Sequence, residues 1–426
     1  MTDAIRPPLR VGIDARSRTG STGGVQQFTV GLLHSLHKLP AGDQEYLALS
    51  YADDREWLAP AIGEHVRLLD APLPALRRGL IGAVRRAALA RAPFLRGVRA
   101  RVASRVAGES LPRSDGTIER AGVEVMHFVR QDAFLTDLPS LYHPWDLQHL
   151  HLPQFFTDEQ RRRRDITYRA FCERADRIVA ASSWTKADLV KSLGIAEERI
   201  IVIPVAQHPE AYPATSATGL AAARAAFGLP DRFLLYPAQT WPHKNHLRLI
   251  EAIAHLRDAQ GRSVNLVLTG YQNEHYPQIR AQIDRHRLSE QIRCLGYVTP
   301  TQLQALYRLA VGLIFPSLFE GWGIPIVEAF QAGTAVACSD ATSLPSMVGD
   351  AALVFDPHDV ESIASAATAL WDDEALRRQL IERGTARLRL FDPERVAETY
   401  RALYRLVAGR SMSPGDEPAL SQPPAV

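Results

Sequence analysis

The stretch of sequence that decides the fold is FPSLFEGWGIPIVEAFQAG, residues 315–333. The apolar run that leads into it, VGLIFPS at 311–317, is typical of a buried parallel strand. The chain then reaches Glu320, turns through Gly321 and Gly323, and continues in a helical pattern. A strand, a glycine-rich turn and a helix in this order indicate an open α/β sheet, in which ligands bind beyond the carboxyl ends of the strands.

Two glutamates in this stretch predict a polar binding site. Glu320 lies in the loop at the mouth of the predicted sheet, and Glu328 lies about one turn into the helix. Carboxylates in these places can accept hydrogen bonds from sugar or ribose hydroxyls. The alternative for Glu328 is a helix residue stabilised by the helix dipole. Glu320 has no such alternative, because a carboxylate beside buried strand residues is costly unless it is paired.

Outward from this stretch, apolar runs alternate with helical patterns along most of the chain, which predicts parallel sheets covered by helices. We predict strands in two successive units: 9–15, 45–51, 123–129, 177–182 and 199–205, then 233–238, 264–270, 292–297, 311–317 and 334–340. We predict helices at 25–39, 245–260, 274–288 and 301–310, the last of them opened by a capping box at Thr299 and Gln302. A linker is predicted at 208–219, and a Pro/Ser-rich disordered tail at 410–426.

Composition excludes several classes of protein. The 426 residues are 46% hydrophobic and 23% charged, which is ordinary for a globular chain of two or three domains. With 49 basic and 47 acidic residues the net charge is +2, so a nucleic-acid partner is not expected. The three cysteines lie far apart in no metal-ligand spacing, which favours a reducing compartment and hence a cytoplasmic location. The sequence predicts neither a signal peptide nor a membrane span.

Two further loops could bind an anion. DARSRTGSTGGVQQF, residues 14–28, follows a strand and opens a helix at Gly23 and Gly24, where backbone amides can approach a phosphate. A flexible turn that binds no ligand is an equally good interpretation of this loop. YPAQTWPHKNHLRLIEA, residues 236–252, places Lys244 between a strand and a helix, where a cation would meet a phosphate. A solvated surface lysine is the alternative, although the stiff Trp-Pro-His sequence before it favours a function.

At these residues the chain resembles the family 4 glycosyltransferases, which are retaining enzymes that use nucleotide sugars. The resemblance is carried by Glu320 and Glu328 in an E-x7-E pattern, by Gly23-Gly24, by the Lys244 loop, by IRCLGYVTPTQLQALYRLA at 292–310 and by IVAASSWTKADLVKSLGI at 178–195. It covers roughly residues 9–409 and is more specific in the second half. It implies the GT-B fold, in which two Rossmann-like domains with parallel sheets face each other across a cleft.

The resemblance also implies a division of the chain into four parts. Residues 1–207 would be the acceptor-binding domain, 208–391 the nucleotide-sugar-binding domain, 392–409 a helix crossing back to the first domain, and 410–426 the tail.

The same resemblance assigns roles to individual residues. Lys244 would neutralise the diphosphate, and Gly23 and Gly24 would approach it from the other domain. Glu320, with the backbone of Gly321, Trp322 and Gly323, would hold the transferred sugar, and Glu328 the ribose. The backbone of Gly296, Tyr297 and Val298 would meet the base, and Ser182 matches the family's serine.

The sequence departs from the family pattern in two places. Ala238 and Gln239 stand where many relatives have an arginine, so His243 or an arginine of the first domain such as Arg18 would have to supply that charge. Trp145 stands where many relatives have a histidine before the cleft aspartate, here Asp146. His143 or His149 would then take its place, and a capping or core histidine is the equal alternative for both. We take Glu320, Lys244, Asp146 and His149 as the candidate catalytic residues.

The implied reaction is transfer of a hexose, with mannose as the family-level expectation, from a nucleoside diphosphate to a hydroxyl of a lipid-linked or envelope-polysaccharide acceptor. No metal or other cofactor is expected, because Lys244 and backbone amides can stabilise the leaving diphosphate. The alternatives are a nucleotide-sugar epimerase or glycan phosphorylase on the same fold, or a non-catalytic glycan-binding protein.

A basic amphipathic segment predicts one further partner. Residues 71–108 contain nine arginines, no acidic residue and interleaved apolar side chains, a composition suited to an anionic membrane surface. This predicts peripheral association with the inner face of the cell membrane. The alternative is a solvated basic helix, or one that gathers an acidic substrate.

Overall fold

The computed structural model of the chain describes residues 7–18, 23–40, 42–71, 111–206 and 215–421. These residues form two parallel β-sheets, each covered by helices on both faces. The expectation of an α/β fold with two Rossmann-like lobes is confirmed. We call the part built on the sheet of residues 9–202 the first lobe, and the part built on the sheet of residues 234–355 the second lobe.

The first lobe is a seven-stranded sheet of order β3-β2-β1-β4-β5-β6-β7. Its strands are β1 (Leu9–Asp14), β2 (Gln44–Tyr51), β3 (Val66–Ala71), β4 (Val125–Phe128), β5 (Ser140–Tyr142), β6 (Arg177–Ala180) and β7 (Ile200–Val202). Its helices are α1 (Gly24–Lys38), α2 (Thr117–Arg120), α3 (Gln148–His151), α4 (Asp158–Arg174) and α5 (Ser183–Leu193). Short 3-10 turns lie at Glu56–Ala61, Pro153–Phe155 and Glu197–Arg199.

The second lobe is a six-stranded sheet of order β10-β9-β8-β11-β12-β13. Its strands are β8 (Leu234–Pro237), β9 (Leu266–Thr269), β10 (Ile292–Cys294), β11 (Gly312–Phe315), β12 (Val336–Ser339) and β13 (Leu353–Phe355). Its helices are α6 (Ala217–Phe227), α7 (His246–Gln260), α8 (Tyr276–Arg285), α9 (Pro300–Leu309), α10 (Ile324–Ala332), α11 (Leu344–Val348), α12 (Val360–Asp372) and α13 (Glu374–Arg387). Further 3-10 turns lie at Pro242–Lys244 and Leu388–Phe391.

The central strands are apolar along their whole length because both faces of each sheet are covered. β8, β9, β11 and β12 are buried at every residue. The helices turn an apolar stripe to the sheet, as α1 does with Phe28, Leu32 and Leu36. α9 begins at the predicted capping box, in which Thr299 and Gln302 satisfy each other's backbone amides.

A C-terminal helix returns from the second lobe to the first. This helix, α14 (Pro393–Val407), packs against α1, and its Tyr400 and Tyr404 are fully buried there. Tyr404 Oη lies 2.8 Å from His127 Nδ1, and Tyr400 Oη lies 3.1 Å from His143 Nε2. The chain that follows Glu320 and Glu328 in sequence therefore returns to the core of the first lobe.

The prediction of a disordered tail is wrong for its described part. Residues Asp416–Ser421 form a further helix, α15, which packs on α14. The Pro/Ser-rich composition gave no sign of the buried ion pair that holds this segment, in which Asp416 accepts two hydrogen bonds from Arg405 at 2.8 and 3.0 Å. Residues 422–426 lie outside the described residues.

Two other segment predictions meet the limits of the described residues. Of the predicted linker 208–219, residues 208–214 lie outside them, and Ala217 already opens α6 behind a Ser216 cap, so the linker prediction is wrong at its end. Of the basic segment 71–108, all but Ala71 lies outside. In the described ranges no helix is both long and apolar enough to cross a membrane.

Candidate active site

The candidate site lies where the strand order of the second sheet reverses. β8 and β11 are neighbours there, and the chain leaves them in opposite directions. Such a switch point opens a crevice beyond the carboxyl ends of the two strands, which is where α/β proteins bind ligands. Lys244 follows β8 and Glu320 follows β11, so both predicted residues come to the same crevice.

The Lys244 loop is fastened at both ends. Tyr236 in β8 donates a hydrogen bond from Oη to the carbonyl oxygen of Lys244 at 2.7 Å. Asn245 adopts the left-handed conformation with φ 61°, and its amide donates to the carbonyls of Pro316 and Pro357 at 3.0 and 2.8 Å. The loop after β8 is thus tied to the loop after β11, which fixes where the Lys244 side chain begins.

The Glu320 loop is held in the same way. Glu320 donates its backbone N–H to Thr342 Oγ1 at 3.0 Å, and its carbonyl accepts from Thr342 Oγ1 and Ser343 Oγ at 2.7 and 2.9 Å. Its carboxylate lies 2.6 Å from Lys244 Nζ, with side chains only 13% and 18% exposed. Lys244 is therefore the charged partner that the sequence analysis expected for the partly buried carboxylate of Glu320.

The glycine turn after Glu320 lets the two lobes touch. A Cβ atom on Gly321 would lie 2.3 Å from the carbonyl oxygen of Trp145, which is backbone of the first lobe. Gly24, the first residue of α1, is similarly close, since a Cβ there would lie 2.8 Å from Ile324 at the start of α10. Gly23 precedes it, with its Cβ position 3.3 Å from Gln239. Each of these predicted glycines therefore lies against a residue of the opposite lobe.

Side chains of the first lobe grip the same turn. Ser182, the cap of α5, and Thr185 both donate to the carbonyl of Gly321, at 3.2 and 3.3 Å. Phe319 packs between the His151 and Trp184 rings, with centroid distances of 5.3 and 5.4 Å. Ser182 is fully buried, and in this structure its hydroxyl caps α5 and links the two lobes.

Asp146 faces the ion pair from the opposite lobe. Burial raises the pKa of its carboxyl, the negative charge of Glu320 raises it further, and the cation of Lys244 opposes the shift. The carboxylate accepts from the backbone of Gln148 at 3.0 Å. Trp145 before it has a left-handed φ of 67°, which is rare for a bulky residue and aims the next side chain. Asp146, Glu320 and Lys244 are therefore brought together.

The structure does not bring His149 or His143 to this group. His149 is 1% exposed, packs edge-on against Tyr168 at 5.1 Å, and burial lowers the pKa of its imidazole to about 4. His143 is enclosed by Phe28, Trp145 and Tyr400, and burial lowers its pKa to about 3. Neither ring has a described contact with Glu320 or Lys244, so the assignment of a cleft histidine from sequence stays a prediction.

Two predicted donor residues lie deeper than expected. Glu328 in α10 is 2% exposed and accepts a hydrogen bond from Tyr307 Oη at 2.6 Å. Trp322 is buried edge-on against Phe391 at 5.2 Å, so only its backbone faces the turn. The ribose role of Glu328 therefore stays a prediction, and it requires the carboxylate to leave or share its Tyr307 partner.

The predicted base-binding backbone lies at the end of β10. Gly296 has φ 70°, and its carbonyl accepts from Gly270 N and Thr269 Oγ1 at 2.8 and 2.7 Å. Tyr297 is the most exposed large aromatic side chain of the described residues, at 64%, while Val298 is buried. A small cavity opens beside Gly296, next to Tyr276 and Cys294. An exposed ring beside a lined cavity can stack on a base.

The two substitutes suggested for the absent phosphate arginine do not supply a free charge. Burial, followed by the charge of Lys244, lowers the pKa of His243 well below its usual range, so its imidazole is neutral at pH 7. Arg18 pairs with Asp53 at 2.9 Å. Sequence reasoning missed Arg164, whose charge acts on Asp146 and on His243 of the other lobe. Its signal was the run of four arginines at 161–164.

Comparison with known proteins gives the same picture. The family model "Glycosyl transferases group 1" matches residues 222–387, and "Glycosyltransferase Family 4" matches 121–206. The chain is 28% identical over 255 residues to O-antigen chain mannosyltransferase B of Escherichia coli, covering 60% of this chain and 67% of that one. It is 35% identical over 211 residues to the serotype-specific mannosyltransferase WbdA of Escherichia coli, covering 49% of this chain but 26% of WbdA.

A solved structure agrees over almost the whole chain. Anabaena HepE, in complex with UDP and glucose, superposes with a TM-score of 0.66 at 16% identity, covering 93% of this chain and 99% of that one. Two facing lobes with a charged switch point define a glycosyltransferase of the GT-B class. The two family matches together span more than half of the chain, and it belongs to the family 4 glycosyltransferases.

Proposed function

We propose that this protein is a retaining hexosyltransferase, which transfers a sugar from a nucleoside diphosphate to a hydroxyl of a glycan or lipid-linked glycan. The observation that carries the proposal is the Lys244–Glu320 ion pair at the switch point, with Asp146 facing it from the other lobe. The names of the relatives support mannose as the transferred sugar and an envelope polysaccharide as the product.

The donor lies between the lobes in this proposal. The ammonium group of Lys244 and the amides at the starts of α1 and α10 offer positive potential to a diphosphate. HepE, which was solved with UDP and glucose, supports a nucleoside diphosphate in such a cleft. Glu320 then exchanges part of its contact with Lys244 for the hydroxyls of the transferred sugar, because a carboxylate can accept several hydrogen bonds.

The reaction breaks the bond between the anomeric carbon and the diphosphate and forms a bond from that carbon to the acceptor oxygen on the same face. Negative charge grows on the departing diphosphate, so fixed cations and amides there lower the barrier most. The raised pKa of Asp146 makes its carboxylate a stronger proton acceptor than an exposed aspartate. We assign it to orienting the incoming hydroxyl and to accepting its proton as the new bond forms.

The proposed chemistry uses no metal ion. Among the described residues, no three His, Cys, Asp or Glu side chains gather as metal ligands would. The test is activity itself: it should survive chelation by EDTA. Loss of transfer with EDTA and its return with manganese would overturn this part of the proposal.

We also propose that residues 71–108 dock the enzyme on the inner face of the membrane, because their nine arginines and lack of acidic residues suit anionic lipid. The full chain should co-sediment with vesicles containing anionic lipid at low salt, and with neutral vesicles much less. Equal recovery with both would contradict the proposal.

The decisive experiment is a thermal-shift screen of nucleotide sugars followed by product analysis. A donor at 100 times its dissociation constant adds about 2.7 kcal/mol to the stability, which is a clear shift of the melting temperature. The product formed with the best donor should keep the donor's anomeric configuration by NMR. An inverted product, an epimerised donor or free phosphate serving as acceptor would each contradict the proposal.

A further inference from the structure

The run Arg161–Arg164 lies in the second turn of α4, and its four members have different surroundings. Arg161 forms an ion pair with Asp158 one turn earlier. Arg162 and Arg163 are exposed. In the described part of the chain, none of the last three arginines has a carboxylate within ion-pair distance. The helix therefore presents positive charge that the described residues leave uncompensated.

A cavity of about 290 Å³ lies against this turn of α4. It is lined by His149, Leu150, Pro153, Arg161, Arg162 and Asp165. Asp165 is already paired with Arg169 at 2.9 Å, and Arg161 with Asp158, so Arg162 leaves the cavity with net positive charge. The volume is close to the lower end for small-molecule sites, which fits one sugar-sized group.

One wall of the cavity holds an unsatisfied polar side chain. His149 is 1% exposed, and neither of its ring nitrogens has a hydrogen-bond partner within the described residues. Its low pKa keeps the imidazole neutral, so the ring offers one donor and one acceptor. Both nitrogens are enclosed in this structure, so the ring lies behind the cavity wall.

The cavity is lined by the segment that follows Asp146 in the chain. His149 is in α3, three residues beyond Asp146, and its ring packs on Tyr168. Arg164 stacks over Phe156 at 4.8 Å and donates to Tyr168 Oη at 3.4 Å. Arg164 and His149 therefore contact the same tyrosine, which links the arginine turn of α4 to α3.

We propose that this cavity, with Arg161 and Arg162 in its wall, is an acceptor subsite that binds a phosphoryl group carried by the acceptor. Guanidinium groups bind phosphate oxygens in a bidentate fork. The inference deepens the proposed transfer reaction and rests on it. The phosphoryl group belongs either to a phosphorylated sugar or to the diphosphate of a lipid-linked acceptor.

The experiment compares two soluble probes that share one sugar ring. α-Mannose 1-phosphate and methyl α-mannoside are titrated calorimetrically into the full chain, with the donor site filled by a saturating nucleoside diphosphate. The wild-type protein should bind the phosphate at least about tenfold more tightly. Arg162→Gln should abolish this preference, and Arg161→Gln, which changes the other arginine of the cavity wall, should reduce it. Arg163→Gln is the matched control, an exposed neighbour outside the cavity, and should keep it.

A second arm identifies the source of the phosphoryl group. Vesicles of phosphatidylcholine with and without a polyprenyl diphosphate are offered to the same variants. Binding that needs the diphosphate and Arg162, without preference for the soluble phosphate, assigns the site to the lipid headgroup. Absence of a phosphate preference in both arms overturns the subsite, as does a preference that survives in Arg162→Gln.

Titration of the nucleoside diphosphate separates this inference from the proposed function. If the wild-type protein and all three variants bind the nucleoside diphosphate equally while the phosphate preference is missing, only the subsite is wrong. If the wild-type protein binds no nucleoside diphosphate, the proposed transfer reaction is wrong as well.

Discussion

Lys244 and Glu320 already bind each other, so a donor that binds Lys244 has to compete with the carboxylate of Glu320. The two charged atoms are 2.6 Å apart, and a diphosphate must share the ammonium with the carboxylate. We expect Glu320→Gln to bind the free nucleoside diphosphate several-fold more tightly, since one negative charge leaves the crevice. Turnover should nevertheless fall at least tenfold, because the sugar loses a charged acceptor. Equilibrium binding and initial rates measure the two effects, and weaker diphosphate binding would contradict the argument.

Removal of the cation tests the other half of the pair. Lys244→Ala should lower turnover about 100- to 1000-fold, as loss of one preorganised donor does at a site of developing charge. Circular dichroism should show an intact fold, because the Lys244 backbone remains tied by Tyr236 and Asn245. Lys191→Ala, an exposed lysine of α5, serves as the control and should turn over normally. Wild-type rates in Lys244→Ala would remove Lys244 from the mechanism.

Lys244 and Glu320 could be predicted from sequence because each lies in the loop between a predicted strand and the helix that follows it. Arg164, His151 and Phe319 could not, since their positions depend on how α3 and α4 pack against the loop of the other lobe. The role of His149 stays a prediction. Its place near Asp146 in sequence indicated the cleft, and in the structure its ring packs against Tyr168.

At the scale of elements, short strands explain most of the differences between prediction and structure. β5 and β13, which were not predicted, have three residues each, and β13 lies at a sheet edge with Val354 45% exposed. The equally short β7 and β10 could be predicted because each lies in a longer apolar run of the sequence. β3, which was also not predicted, is an edge strand of the first sheet. The long central strands and α1, α7 and α9 could be predicted because burial on both faces or on one stripe leaves a clear pattern.

The turn after β11 carries the contact between the lobes, and its glycine gives a sharp test. In Gly321→Ala the new Cβ would meet the Trp145 carbonyl at 2.3 Å, and backbone cannot move aside as a flexible side chain can. The lobes should then fail to close, with turnover at least tenfold lower. The melting temperature should change little, since each sheet keeps its core. Gly415→Ala, with no atom near its Cβ position, should behave as wild type.

At the scale of the whole molecule, α14 ties the second lobe to the core of the first. Arg405 pairs with Asp43 of the first lobe and with Asp416 of α15, and is itself only 6% exposed. Tyr400 and Tyr404 fill the space beside His127 and His143. The lobes therefore share one continuous hydrophobic core at this end, while the described contacts at the cleft join loops and helix starts, such as Gly24 with Ile324 and Ser182 with Gly321. Motion between them should pivot near α14.

The histidines of this shared core make stability depend on pH. Burial lowers the pKa of His127 well below its usual range and that of His143 to about 3, whereas both titrate near 6.5 when unfolded. The unfolded chain therefore binds more protons below pH 6.5, and each histidine removes about 1.4 kcal/mol of stability per pH unit as the pH falls towards its folded pKa. Above pH 7 the contribution is fully present.

Replacement of one ring isolates this effect. His143→Phe keeps an aromatic ring between Phe28 and Trp145 but cannot take up a proton, at the loss of one hydrogen bond from Tyr400. We expect the variant to be about 1 kcal/mol less stable than wild type at pH 8. Between pH 6 and pH 4 the free energy of unfolding of the variant should fall less steeply than that of wild type, because one proton fewer is taken up on unfolding. When the free energies from urea unfolding are plotted against pH, the two curves should therefore converge or cross. Parallel curves would show that His143 is protonated in the folded protein, and that the core around α14 opens to water as the pH falls.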